Sequence, residues 1–344
     1  MSDATERVQA LVRAACAVAD GKSELGKRAR ALLLDSTGLS HEGIELALEQ
    51  CLETTPSDAE IAALVASVRP APRVHVILPA NVFIAAHRAI ALALAGSSSV
   101  SVKPSRREPH FARLLAEAAP GLFELTSEIQ AAPGDHVWAY GGDTSLEAVR
   151  RALPRGAELH AEGPGYGIAV VDAEHITTAT AAALAADIVP FEQRGCLSPI
   201  AALVVGTRAD AQRFAELVAA ALTEAAKQVP LGRFHEAERA DARRFHDAYR
   251  YAGVVLAAGP GVVAVSPDAR WSAAPVGRNL LVAACEDPLA SLLPARARIT
   301  ALGLATGPAL SASVAASLPE ARTSPLGAMQ KPPFDGPADR RSRA

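Results

Sequence analysis

Cysteine and aromatic residues are scarce in this chain of 344 residues. Its four cysteines are scattered, with no CxxC pair and no two histidines at the spacing of metal ligands, so the sequence predicts reduced thiols and no metal site. Aromatic residues make up 4% of the chain and apolar residues 50%. We therefore expect a sizeable core of small and branched aliphatic side chains.

An excess of charge and long apolar runs are also lacking. The formal net charge of −3 predicts no binding of nucleic acid or of an anionic membrane surface. His87 and Arg88 interrupt the longest apolar stretch, IAAHRAIALALAG, so no membrane span is predicted. The polar beginning, MSDATERVQA, is not typical of a signal peptide. These features predict a cytoplasmic protein.

Alternating strand and helix patterns are what the sequence has in quantity. Apolar residues recur at three- and four-residue spacing through residues 1–70, which predicts helices, one of them capped by Ser57 with Glu60 in its first turn. From residue 74 onward, β-rich runs such as VHVIL and IAALVVG alternate with helical stretches. This pattern predicts parallel strands joined by right-handed crossovers, and the length suggests two domains or one large α/β unit.

The segment AYGGDTSLEAV joins a predicted strand to a predicted helix through Gly141, Gly142, Asp143 and Thr144. Glycines let the backbone approach a phosphate, and the N–H groups that begin a helix attract it. The alternative is an ordinary turn in which Asp143 or Thr144 caps the helix. The full GxGxxG dinucleotide pattern is absent.

In SVSVKPSRREP, Lys103 ends a predicted strand and Arg106 and Arg107 follow it. A lysine in this place can reach a ribose or a phosphate, and the arginines suit a second phosphate such as the 2′-phosphate of NADP. The alternative is a solvated cluster of charges before a helix.

Two further residues have side chains suited to acyl chemistry. Asn81 follows a predicted strand, where its amide could stabilise an oxyanion or simply cap the next helix. Cys196, in RGCLSPI, is either an exposed nucleophile or a small buried hydrophobe. The other three cysteines lie inside apolar patterns and are predicted to be core residues: Cys16, Cys51 and Cys285.

Taken in order, these segments resemble the aldehyde dehydrogenase superfamily. PAN is similar to that family's Pro-x-Asn oxyanion stretch, and SVKPS to its strand-Lys-Pro-Ser cofactor segment. YGGDTSLEAV is similar to its Gly-Ser-Thr turn beside the cofactor's pyrophosphate, and RGCLSP to its nucleophilic cysteine loop. QRGCLSP and the Pro-rich SPLGAMQKPPFDGPADRR look most like the LuxC-type acyl-CoA reductases of bacterial luminescence.

The resemblance implies an α/β, aldehyde-dehydrogenase-like fold with two doubly wound domains and a helical N-terminal segment. It implies that this segment packs on a cofactor domain, which is followed by a catalytic domain that carries the cysteine loop and by a Pro/Gly-rich tail. The boundaries expected for these four parts are residues 1–70, 71–165, 166–308 and 309–344.

The resemblance also implies NADPH-dependent reduction of an acyl-CoA to an aldehyde, through an acyl-enzyme on Cys196 with Asn81 holding the oxyanion. Ordinary members place a water-activating Glu where HAEGPGYG stands here. Alignment puts His160 at that position and Glu162 two residues later, so either is a candidate acid or base. The implied cofactor residues are Lys103, Ser105, Arg106, Gly141, Gly142, Asp143 and Thr144, without a metal.

Other functions remain open from the sequence. The same fold could oxidise an aldehyde to an acid, could bind a nucleotide without catalysis, or could transfer an acyl group from cysteine without a redox step. An acyl-CoA substrate is expected if the chain is a reductase, and an aldehyde substrate if it oxidises an aldehyde to an acid. Family likeness implies a possible homodimer, and no nucleic acid partner is expected.

Overall fold

The computed structural model describes residues 3–341, which form two compact units. Unit 1 contains the chain up to Pro164 together with Pro333–Ala338. Of the described residues, unit 2 contains Gly165–Pro332 and 339–341. Within the described residues, every helix is too short or too polar to cross a membrane.

Unit 1 begins with a group of helices whose apolar faces turn inward. In the first of them, Val8, Leu11 and Ala15 recur at helical spacing and are buried. The predicted cap at Ser57 is confirmed: its hydroxyl accepts from the N–H of Glu60, whose carboxylate accepts from the N–H of Ser57. The helices are α1 (Asp3–Ala19), α2 (Glu24–Thr37), α3 (His41–Leu46) and α4 (Asp58–Ala66).

A five-stranded parallel sheet follows in unit 1. Its strands are β1 (Val74–Ile77), β2 (Val100–Lys103), β3 (Glu124–Leu125), β4 (His136–Tyr140) and β5 (Glu158–Glu162), connected by α5 (Ala85–Gly96), α6 (His110–Ala118) and α7 (Asp143–Ala152).

The order of these strands is β3-β2-β1-β4-β5. Along the chain, the sheet grows in one direction from β1 to β3 and then resumes on the other side of β1 with β4. Such a reversal of strand order opens a crevice at the carboxyl ends of the strands, which is the usual ligand site of this sheet type. Helix α5 is buried on all sides because α1 and α4 also pack against it.

Unit 2 contains a seven-stranded sheet, ordered β12-β11-β6-β7-β10-β9-β8, in which only the β8–β9 pair is antiparallel. The central strand β7 reads PIAALVV and is buried along nearly its whole length, as expected for a strand covered on both faces. The elements are β6 (Tyr166–Asp172), α8 (Thr178–Ile188), β7 (Pro199–Val205), α9 (Arg208–Gln228), α10 (Glu236–Ala252), β8 (Val254–Ala258), β9 (Gly261–Val265), β10 (Leu280–Cys285), α11 (Pro288–Leu292), β11 (Ile299–Ala305), α12 (Pro308–Ser317) and β12 (Arg322–Pro325).

Three structural features differ from expectation. Strands β3, β8 and β12 were not predicted, because β3 is two residues long and β12 reads RTSP, which lacks an apolar pattern. The residues from 319 onward, expected to lie extended along the surface, include β12 and bury Met329 and Phe334. The prediction that Cys16 is a core residue is wrong, since its side chain lies on an exposed face of α1.

Residues 333–338 complete unit 1. The guanidinium of Arg88 donates to the backbone oxygens of Pro333, at 2.8 Å, and Gly336, at 2.7 Å. The ring of Phe334 stacks on that of His87, with centroids 5.1 Å apart, and is almost fully buried. The end of the chain therefore covers polar groups of α5 that would otherwise be exposed.

Asp187, near the end of α8, holds the residues after β12 in unit 2. Its carboxylate accepts hydrogen bonds from the backbone N–H groups of Gly327, at 2.6 Å, and Met329, at 2.9 Å. Only 1% of the residue is exposed. Burial raises the pKa of Asp187 to about 6, although the N–H donors favour the charged form.

Because of this raised pKa, we expect Asp187 to make the free energy of unfolding fall as the pH rises from about 4 to 6. Its stabilising contribution is complete below the pKa of the unfolded chain and is lost as the pH passes the folded value. The change is at most roughly 3 kcal/mol, at about 1.4 kcal/mol per unit. Urea unfolding of the wild type and Asp187→Asn measures it, and equal pH slopes would contradict the expectation.

Candidate active site

The segments of unit 1 with candidate cofactor residues meet at the carboxyl edge of its sheet. Lys103 is the last residue of β2, Gly141 follows β4, and Glu162 is the last residue of β5. The N–H of Gly141 donates to the backbone oxygen of Glu162 at 3.0 Å, which joins two of these strand ends. Parallel pairing thus brings to one edge residues that are up to 59 positions apart in the sequence (Lys103 to Glu162).

The glycine turn leaves room for a ligand. Helix α7 begins at Asp143, and Gly142 is its N-cap residue, without a side-chain hydrogen bond to cap it. Gly142 has an ordinary φ of −72°, and a Cβ placed there meets no atom within 4 Å. Neither packing nor backbone strain therefore requires this glycine, and the space in front of an exposed helix beginning suits a phosphate. The alternative capping role of Asp143 or Thr144 is not what the structure shows.

The lysine segment lies next to the strand that precedes Asn81. Lys103 is half-buried, and its backbone oxygen accepts from the N–H of Leu78 at 3.0 Å. After it, the hydroxyl of Ser105 accepts from the N–H of Arg107 at 3.3 Å, while Arg106 is exposed. The side chains of Lys103 and Arg106 are accordingly available at the edge where the glycine turn lies.

Asn81 is exposed and lies outside the helix that follows it. Helix α5 begins at Ala85, and Ile84 occupies its cap position. The interpretation of Asn81 as an N-cap is therefore wrong, and its place beyond the carboxyl end of β1 keeps its amide at the same edge as Lys103.

The two candidate acid–base residues occupy different positions on β5. Glu162 ends the strand at the carboxyl edge, whereas His160 lies in its middle. The imidazole of His160 stacks on Trp138 with centroids 4.3 Å apart, and its Nε2 lies 3.3 Å from a carboxylate oxygen of Glu158. Burial lowers the pKa of His160, with the Glu158 charge acting in the opposite sense.

In unit 2, Cys196 lies on a loop of residues 190–199, here called the cysteine loop, which leads into the amino end of β7. Three consecutive residues of this loop have positive φ angles: 55° at Phe191, 55° at Glu192 and 62° at Gln193. Non-glycine residues in this region cost about 1–3 kcal/mol each and persist only where surrounding contacts hold them.

Those contacts come from the residues just before β10. Arg278 and Glu192 form an ion pair, with Nε 3.1 Å from Oε2, and both side chains are at most 1% exposed. The amide of Gln193 donates to the backbone oxygens of Pro199 and Asn279, and its Oε1 accepts from the N–H of Asn279. The loop is thereby fastened at both ends, so the backbone that leads to Cys196 has little freedom.

The cysteines differ in their access to solvent. Cys196 is half-buried, whereas Cys51 and Cys285 are buried as predicted. Burial, together with the charge of Asp287, raises the pKa of Cys285 to about 11, so its thiolate is scarce near neutral pH.

Comparison with solved structures identifies the architecture. A gamma-glutamyl-gamma-aminobutyraldehyde dehydrogenase from Burkholderia cenocepacia superposes with a TM-score of 0.66 and 19% identity, covering 94% of this chain and 76% of that chain. An NAD-dependent benzaldehyde dehydrogenase from Corynebacterium glutamicum gives 0.70 and 17%, covering 94% and 80%. A Mycobacterium tuberculosis aldehyde dehydrogenase, solved with NAD+, gives 0.64 and 16%, covering 94% and 77%. This chain has the aldehyde dehydrogenase fold.

Sequence comparison gives one family match for part of the chain. Residues 121–289 match the family described as acyl-CoA reductase (LuxC), while no curated protein matches. The match spans 169 of the 344 residues, slightly less than half of the chain, and shows a resemblance to the LuxC-type acyl-CoA reductases. The predicted fold class is confirmed by the solved structures. The family match indicates an oxidoreductase that acts on acyl or aldehyde groups.

The LuxC match covers the glycine turn, His160, Glu162 and the cysteine loop, and leaves Asn81 and the lysine segment outside it. Within it lie two residues with a structural role that cannot be predicted from the sequence. Arg278 and Asn279 support the cysteine loop from 82 and 83 positions beyond Cys196. Neither residue type nor spacing signals this contact, because it arises only when β10 pairs with β7.

Proposed function

We propose that this chain reduces an acyl-CoA thioester to an aldehyde with NADPH, through an acyl-enzyme on Cys196. A half-buried thiol on a firmly held loop, inside the segment similar to acyl-CoA reductases, carries the proposal. That segment contains one other cysteine, Cys285, whose burial and raised pKa suit a core residue. Cys16 and Cys51 lie outside it.

In the proposed reaction, the thiolate of Cys196 attacks the thioester carbonyl, and CoA leaves as its thiolate. The amide of Asn81 and the backbone N–H of Cys196 are assigned to the oxyanion formed in this step; the loss of one such donor typically costs ~10²–10³ in rate. Hydride addition to the acyl carbon then gives a tetrahedral adduct, from which the sulfur of Cys196 departs as an aldehyde forms. No water is activated, so the reaction needs neither His160 nor Glu162 as a base.

The residues proposed to bind the cofactor lie at the carboxyl edge of the sheet in unit 1. When bound, the reduced nicotinamide supplies the hydride. The open space at Gly142 and the beginning of α7 fit a pyrophosphate, with Asp143 and Thr144 in the first helical turn. Lys103 and Ser105 are assigned to the ribose side, and the exposed Arg106 to the 2′-phosphate that distinguishes NADP from NAD.

The direct test is a spectrophotometric assay of NADPH oxidation with acyl-CoA substrates of several chain lengths, with the aldehyde trapped as a hydrazone. The proposal expects one aldehyde and one free CoA for each NADPH oxidised. CoA release without NADPH oxidation would instead identify a cysteine acyltransferase. NADPH binding without either product would identify a non-catalytic nucleotide-binding member of the fold.

Replacement of Gly142 by alanine is expected to weaken NADPH binding at least about tenfold, which corresponds to 1.4 kcal/mol. The added methyl group enters space that is empty of protein atoms, so it obstructs the pyrophosphate and leaves the fold intact. Gly307→Ala is the matched control, because Gly307 also precedes a helix and also has room for a Cβ. Titration of NADPH fluorescence measures both; equal affinities would contradict the role of Gly142.

A second function, oxidation of an aldehyde to an acid, is favoured by one observation. Glu162 lies at the carboxyl edge of the sheet, where a carboxylate could activate water. This function predicts acid formation from aldehyde and NADP+, with one oxygen taken from labelled water and with loss of the activity in Glu162→Gln. The reductive function predicts that Glu162→Gln retains acyl-CoA reduction.

A further inference from the structure

Two histidines and a glutamate converge on one face of the sheet of unit 1. His136, on β4, is paired in register with Glu158, on the edge strand β5, and Trp138 is paired with His160. Since side chains alternate along a strand, all four project from the same face. The Nε2 atom of His136 lies 3.5 Å from one carboxylate oxygen of Glu158, and that of His160 lies 3.3 Å from the other.

These separations match those between the ligands of a metal ion. Nitrogen and oxygen atoms held about 2.0–2.1 Å from a tetrahedral Zn²⁺ are about 3.3–3.4 Å apart. One potential ligand atom from each of His136, Glu158 and His160 lies within 4.8 Å of the others. Two imidazoles and one carboxylate are also a common set of ligands in zinc sites that keep a position for water.

The surroundings of the three side chains favour an ion over a hydrogen-bonded network. Among the described residues, Nε2 of His160 and Nδ1 of His136 are buried without hydrogen-bond partners. Nε2 of His160 is the atom that faces Glu158, so a bound ion would offset the desolvation cost of leaving it without a partner. The side chain of His136 is only 10% exposed, which shields its Nε2 from water. Stacking on Trp138, at an interplanar angle of 12°, fixes the ring of His160 with its Nε2 toward Glu158.

We infer that His136, Glu158 and His160 form a site for a divalent transition-metal ion, with Zn²⁺ as the expected occupant. The ion would join the edge strand β5 to β4, below the carboxyl edge where Glu162 and the glycine turn lie. A metal ion bound to Nε2 of His160 prevents that nitrogen from acting as an acid or a base. The reductive reaction tolerates this, because it requires no base at this position.

Arg69 competes with the ion for the carboxylate of Glu158. Its guanidinium forms an ion pair with Glu158, yet 75% of the Arg69 side chain is exposed. An ion pair at this exposure contributes at most about 1 kcal/mol, so a bound divalent ion would displace it. We therefore expect removal of Arg69 to tighten metal binding, because it frees a carboxylate oxygen of Glu158 and removes a positive charge near the ion.

The experiment uses the full chain, stripped with a chelator and titrated with Zn²⁺ by calorimetry and with Co²⁺ by its visible absorption. The expected result is one equivalent of metal per chain. His160→Gln and Glu158→Gln should each weaken binding by at least the ~10–100-fold that loss of an outer-shell partner costs. Arg69→Gln should strengthen it several-fold relative to Arg28→Gln, which removes the same charge from an exposed ion pair elsewhere in unit 1.

Two controls separate this site from other sources of metal binding. His246→Gln removes a histidine of α10 in unit 2, and Cys196→Ala removes the thiol of the cysteine loop; both should bind metal as the wild type does. Thermal unfolding without metal identifies any variant that fails to fold. The inference is overturned by absence of saturable binding, by wild-type affinity in folded His160→Gln and Glu158→Gln, or by loss of binding in Cys196→Ala.

Discussion

Replacement of Cys196 by alanine is expected to lower acyl-CoA reduction by roughly 10⁴-fold or more, since a reaction through a covalent intermediate stops when its nucleophile is removed. NADPH affinity should remain unchanged, because the residues assigned to the cofactor belong to unit 1. The measurement is the rate of NADPH oxidation with a saturating acyl-CoA, together with mass spectrometry of the protein for a covalent acyl group.

Cys16→Ala is the matched control, because it removes an exposed thiol from α1 and leaves the cysteine loop untouched. Iodoacetamide labelling gives a second measurement that does not depend on the substrate. Cys196 should react well before Cys285, whose burial and pKa of about 11 suppress its thiolate. Full reductase activity in Cys196→Ala would refute the proposed acyl-enzyme, whatever the labelling shows.

Replacement of Arg278 by methionine is expected to lower the free energy of unfolding by about 3–5 kcal/mol, the usual cost of removing one partner from a buried ion pair. Glu192 would be left charged and almost fully buried, in a loop whose backbone already has unfavourable φ angles. Urea unfolding measures the loss. The rate at which iodoacetamide labels Cys196 should also change, because Arg278 supports the backbone before it.

Two further variants isolate the cause of this destabilisation. Arg243→Met breaks an ion pair with Glu236 in which both side chains are more than half exposed, and should cost at most about 1 kcal/mol. Adding Glu192→Leu to Arg278→Met removes the unpaired charge and should restore part of the lost stability. Equal effects of Arg278→Met and Arg243→Met would show that the buried pair has no special importance.

Much of the fold follows from the sequence, because its apolar patterns are strong where the strands are buried. The runs VHVI, VSVK, HVWAY and PIAALVV lie in β1, β2, β4 and β7 as predicted. Parallel strands bring their carboxyl ends together, so the order of strands and helices along the chain is enough to place Lys103 and the glycine turn at one edge. Strand β12 could not be found in this way, since a polar edge strand such as RTSP has no periodic signal.

The candidate site was less predictable because its supports are distant in the sequence. Arg278 lies 86 positions from Glu192, and His160 lies 24 from His136 on a neighbouring strand. Spacing rules for metal ligands describe residues on one element or on one turn, so they miss a cluster assembled by register between two strands. Likewise, Glu192 and Gln193 can be read from the sequence, but their positive φ angles follow from the contacts that surround them.

The return of residues 333–338 to unit 1 has a consequence for biosynthesis. A ribosome releases the helices and the first sheet of this unit long before it reaches Phe334. Until then, the ring of His87 and the guanidinium of Arg88 lack the stacking and the carbonyl acceptors that the end of the chain provides. These contacts of unit 1 therefore form only after residues 165–332 of unit 2 have been synthesised.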